Sequence, residues 1–183
     1  GGFSPQAFLL LGVEPYLYRD DVKGALRALF NATAAYYYAD TRMITEHALT
    51  LGEWRGDHYK SSDEANVAGW LRYLFVREDG DDLILGQAVP REWLAPGNRV
   101  GIQNASTHFG PMGVFYESEG DAITARVDGP TRNAPNGIRL RFRPPHGMSI
   151  AGCVLNGQAW AEHDGEWVHL PGDIGKARVR VEW

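Results

Sequence analysis

The period of the hydrophobic positions changes once along the chain. In the first part they recur at helical intervals: Val22, Leu26, Leu29, Phe30, Thr33 and Tyr37 fall on one stripe behind Asp20 and Asp21, acidic residues suited to a helix N-terminus. Ser61 and Glu64 form a capping-box pattern, and Val67, Trp70, Leu71, Leu74 and Phe75 follow at i, i+3, i+4, i+7 and i+8 spacing. Both segments predict core-facing helices. An earlier helix is predicted to start with Ser4 as N-cap and Pro5 at its first position, and to end or kink at Pro15. Residues 39–60 form a long connection, and a connection of that length in a compact domain is usually either functional or a misassigned element.

After Arg77 the runs become short. Glu78-Asp79-Gly80-Asp81-Asp82 reads as a polar turn, followed by apolar or alternating runs at 83–87, 100–104, 113–119, 122–127, 138–143, 149–155, 166–170 and 177–182. Gly, Pro and Asn separate them, Asn156-Gly157 is a hairpin signal, and 90–94 reads as one helical turn. No helix here is long enough for a parallel crossover. The expected fold class is therefore α+β, an N-terminal helical segment over 1–78 followed by an antiparallel β-sandwich over 79–183.

Composition narrows the function classes. The 183 residues, 44% hydrophobic, suffice for one ordinary domain or two small ones. With 18 basic and 23 acidic side chains the net charge is −5, and neither half collects a basic excess, so nucleic acid is not expected as a partner. No apolar run approaches the roughly 20 residues a bilayer requires, so no membrane partner is expected either. Cys153 is the only cysteine and lies in a predicted strand between apolar neighbours, as an inert core residue would. The Gly-Xaa-Ser-Xaa-Gly elbow, a phosphate loop and a dinucleotide fingerprint are absent. The chain opens Gly-Gly-Phe-Ser without an initiator methionine, which reads as a scar or a cut inside a longer protein.

Two stretches carry a family likeness: Gly52-Glu53-Trp54-Arg55-Gly56-Asp57-His58-Tyr59-Lys60-Ser61-Ser62-Asp63-Glu64-Ala65-Asn66 and Gly86-Gln87-Ala88-Val89-Pro90-Arg91-Glu92-Trp93-Leu94. They resemble the C-terminal regions of large bacterial glycoside hydrolases with an (α/α)-toroid catalytic domain. The 107–111, 138–141 and 154–160 stretches look like the β-sandwich that closes those proteins. This resemblance implies that the helical segment corresponds to the last helices of a toroid, and that part of a catalytic site could lie upstream of Gly1. No catalytic residue carries over on the motif alone.

Glycoside hydrolysis needs a carboxylic acid to protonate the leaving oxygen and a carboxylate to act as nucleophile or to activate water. The 39–64 connection supplies candidates. Glu53 and Asp57 are the expected catalytic pair, with Glu46, Trp54, Arg55, His58 and Tyr59 as substrate-binding neighbours, since aromatic faces beside carboxylates suit sugar rings. The plainer reading is a solvated acidic loop, with Asp63 and Glu64 serving a helix N-terminus and Trp54 plugging an interface. No cofactor is expected. His47, Asp57, His58 and His108 lack any organising metal-ligand spacing, so no metal is expected.

Arg139, Arg141 and Arg143 alternate with Leu140 and Phe142, which reads as a solvated outer strand face. Tyr36, Tyr37 and Tyr38 cannot share one helix face, so one or two are core and another is free to face a site. A noncatalytic alternative would bind carbohydrate through Trp160, Trp167 or Tyr116. A purely structural closure domain would instead expose an apolar helical face and form a homodimer through it.

Overall fold

Pro15 lies in the first turn of a helix. In the computed structural model, which describes residues 12–48 and 61–183, α1 (Glu14–Tyr18) carries Pro15 in its first turn, where the missing N–H leaves no bond unmade. The predicted start at Ser4 and Pro5 lies outside the described residues. The chain divides into two compact units, Gly1–Tyr73 and Leu74–Trp183.

In the first unit, α2 (Val22–Tyr36) begins at Asp21, whose carboxylate accepts the Gly24 N–H at 2.8 Å. Its buried stripe is Val22, Ala25, Leu29 and Tyr36. Phe30 and Tyr37, expected on that stripe, are 45% and 39% exposed. For Tyr37 the reason is the helix end: it is already extended, at φ −81 and ψ 118, so Tyr36 takes the last core position. Tyr37 then opens a small hairpin, β1 (Tyr37–Tyr38) against β2 (Met43–Ile44), which occupies the start of the predicted connection. The remainder of that connection, 49–60, lies outside the described residues.

The capping-box segment forms α3 (Ser61–Phe75), burying Asp63, Trp70, Leu74 and Phe75. Leu71 is 42% exposed, so the apolar stripe is narrower than expected. Gly12 passes so close to Trp70 that a Cβ there would stand 1.8 Å from the indole, and its φ of +46 suits only glycine. Tyr73 is hydrogen-bonded to Glu14, which together with burial pushes the phenol up to about 12.

The second unit is a two-sheet sandwich. Residues 76–79, expected as a helix end and turn, form β3 (Val76–Asp79) and pair with β4 (Asp82–Leu85) across a two-residue turn at Gly80-Asp81. Gly80, at φ +61, meets the positive φ that such a turn demands. Each of the eight predicted runs contains a strand. β4 lies in the first run, and the others hold β5 (Arg99–Ala105), β6 (Met112–Glu119), β7 (Ala122–Asp128), β8 (Gly137–Arg141), β9 (Gly152–Leu155), β12 (Trp167–Pro171) and β13 (Lys176–Glu182). Two short strands, β10 (Gln158–Ala159) and β11 (His163–Asp164), complete the set. The Asn156-Gly157 turn joins β9 to β10 with both residues at positive φ.

One sheet runs β10-β9-β13-β7-β6-β5 and the other β11-β12-β8-β4-β3. The first is antiparallel, but β4 and β8 pair in parallel, so the second is mixed and not the wholly antiparallel sheet expected. No crossover helix is needed, because the chain between β4 and β8 visits the other sheet as β5, β6 and β7 and returns in the same direction. Inward residues such as Val114, Tyr116, Val127 and Val179 meet Leu83, Leu85, Leu140 and Val168 in the core. Cys153 is buried there as expected, and burial raises its thiol to about 11.

Candidate functional site

Alternation along β8 sends Ile138 and Leu140 into the core and Arg139 and Arg141 to the opposite face, with Arg143 continuing past the strand end. Expected to be solvated, this face instead carries an ordered ionic network. Arg141 is only 14% exposed and donates from Nε to Glu166 Oε2 at 3.0 Å, while Arg91 bonds to the other oxygen of the same carboxylate. Glu166, 13% exposed, thus holds two guanidinium groups. Further along the sheet, Asp79 is shared by Arg77 at 3.5 Å and Arg139 at 3.2 Å, and Arg77 Nε donates to Gln87 Oε1 at 2.9 Å.

Among the described residues Arg143 pairs with no carboxylate, and it donates to the Val89 carbonyl at 2.8 Å. Burial first, then the neighbouring Arg91 and Arg141 charges, lower it to about 10. The face therefore concentrates positive charge that two carboxylates offset only in part.

Trp167 stands opposite Arg141 in the β12–β8 register. Its ring centre is 4.8 Å from the Arg141 guanidinium carbon and 6.0 Å from that of Arg139. On its other flank the edge strand β11 places Asp164 directly opposite Trp167, and Asp164 Oδ2 lies 3.0 Å from His169 Nε2.

The other two aromatic candidates have structural roles. Trp160 takes a backbone bond to Cys153 in one sheet and donates its indole N–H to the His169 carbonyl in the other, pinning the sandwich edge. Tyr116, expected as a binding residue, is 1% exposed: its ring packs edge-on to Phe142, its hydroxyl donates to the Arg141 carbonyl at 3.0 Å, and burial pushes its ionisation far up.

Of the expected site residues in the connection, Glu53, Trp54, Arg55, Asp57, His58 and Tyr59 lie outside the described residues. Glu46 is described: it follows β2, is 17% exposed, and its carboxylate is 3.6 Å from His47 Nδ1. His108 is exposed on the loop before β6, where its backbone N–H donates to Glu78. No group of three or more His, Cys, Asp or Glu converges among the described residues. The Glu166 hub was missed in the sequence, where nothing in the 166–170 run marks one carboxylate as the partner of arginines 25 and 75 residues away.

No family model and no curated protein matches the chain. Among solved structures it is similar to a glycoside hydrolase (TM-score 0.45, 8% identity, covering 88% of this chain and 29% of that one). A GH127 β-L-arabinofuranosidase from Geobacillus stearothermophilus T6 gives a TM-score of 0.41 and 12% identity, covering 88% of this chain and 27% of that one. An α-L-rhamnosidase from Dictyoglumus thermophilum gives 0.43 and 9%, over 72% and 16%. The chain spans less than a third of the length of each.

Proposed function

We propose that the chain is part of a glycoside hydrolase-related protein acting on glycosidic bonds of polysaccharides or oligosaccharides by carboxylate acid/base catalysis. The observation that carries this reading is architectural: helices followed in the chain by a two-sheet sandwich, the order implied by the resemblance of the 52–66 and 86–94 stretches. In the sandwich, Glu166, Asp79 and Glu117 are each held by two arginines, which fits them as structural groups. The acid/base work is assigned to Glu53 and Asp57, the carboxylates that the 52–66 stretch places beside aromatic residues. One protonates the leaving oxygen, and the other attacks the anomeric carbon or activates a water, at a separation of about 5–10 Å.

Hydrolysis of a panel of aryl glycosides and soluble polysaccharides, run beside a Glu53→Ala, Asp57→Ala double variant, tests this reading. Turnover that disappears in the variant is the expected result. Equal turnover in both proteins overturns the assignment of these two carboxylates.

A further inference from the structure

We propose, resting on the carbohydrate reading above, that the outer face of the five-stranded sheet carries a saccharide-binding patch centred on Trp167, with Arg139, Asp164 and His169 as its polar contacts. Val168 and Leu170 turn inward, which leaves Trp167 and His169 on the outward face of β12, one strand from the sheet edge. The indole is immobilised, since two guanidinium groups on β8 lie 4.8 and 6.0 Å from its centre. A ring already held in place loses little freedom when a ligand stacks on it.

The groups around that ring are accessible. Asp164 is 75% exposed, His169 43% and Arg139 40%. A pyranose or furanose offers an apolar C–H face ringed by hydroxyls that both donate and accept. The indole takes the first, the Asp164 carboxylate accepts from hydroxyls, and the Arg139 and His169 N–H groups donate to them. Asp79 offsets the charge of Arg139 and Asp164 adds a second carboxylate beside His169, so the exposed part of the patch suits a neutral sugar over an anionic one. Tyr116 drops out as an alternative because it is buried, and Trp160 because it is tied to both sheets.

The test is affinity electrophoresis of the full chain through gels containing soluble xylan, arabinan, galactan or laminarin. At least one polysaccharide is expected to retard the wild-type chain. Trp167→Ala is expected to weaken that retention about tenfold, a loss on the scale of one aromatic contact. Asp164→Ala, at a highly exposed position where the fold is insensitive, is expected to weaken it as well. Gln158→Ala, exposed on the edge strand β10 of the other sheet, is the control and should migrate as wild type.

Retardation by none of the four polysaccharides, or wild-type retention in both the Trp167→Ala and Asp164→Ala variants, overturns the patch. Failure of the patch and of the catalytic reading are separable. Turnover that depends on Glu53 and Asp57 with retention indifferent to Trp167 removes only the patch, and retention that depends on Trp167 without turnover removes only the hydrolytic assignment.

Discussion

Gly86 shows how much one residue can decide. It sits at φ +68 just after β4, and a Cβ there would stand 1.8 Å from the Tyr116 hydroxyl. That hydroxyl passes over Gly86 to donate to the Arg141 carbonyl from a buried position. Gly86→Ala combines a left-handed backbone penalty with a clash in the core, and is expected to destabilise the sandwich by about 2–3 kcal/mol. Urea denaturation followed by intrinsic fluorescence measures this, and an unchanged midpoint would mean that the tyrosine has room to move aside. None of this was visible in the Gly-Gln-Ala-Val-Pro stretch itself, because the contact is made by a residue 30 positions away.

At the scale of elements, β8, β12 and the turn at Arg91–Leu94 are joined outside the core by the carboxylate of Glu166. Removing an acceptor shared by two poorly exposed cations leaves their charges less compensated, which costs more than the pairing itself contributes. Glu166→Ala is expected to lower stability by about 2–3 kcal/mol. A loss below about 0.5 kcal/mol in the same denaturation experiment would place the network with ordinary surface ion pairs.

The elements themselves were largely legible in the sequence. Helical spacing marked α2 and α3, and short apolar or alternating runs bounded by Gly, Pro and Asn marked every strand of five or more residues. The misses fall where periodicity is silent. β3 has four residues and continues directly from a helix, and the parallel β4–β8 pairing depends on which sheet the chain visits in between.

For the whole molecule, apolar exposure in the helical unit bears on association. Tyr18 is 63% exposed, Phe30 45%, Leu71 42% and Tyr37 39%. The proposed homodimer through a helical face uses such residues. Sedimentation velocity across a hundredfold range of concentration is expected to show a mass rising above 20.3 kDa. A constant monomer mass would remove the homodimer from consideration.

The sequence by itself determined the order of helices and strands, the two faces of β8 and the buried cysteine, because each follows from local spacing and the exclusion of apolar groups from water. It also named Trp160, Trp167 and Tyr116 as equals. Only the tertiary structure separated them, with one indole pinning two sheets, one phenol buried beneath a strand and one ring left on the outer face. The same holds for the arginines of β8, whose spacing assigns them a face but not the glutamate 25 residues on that binds Arg141. Such partners are decided by strand register, which depends on the packing of the whole sandwich and has no signature in any one segment.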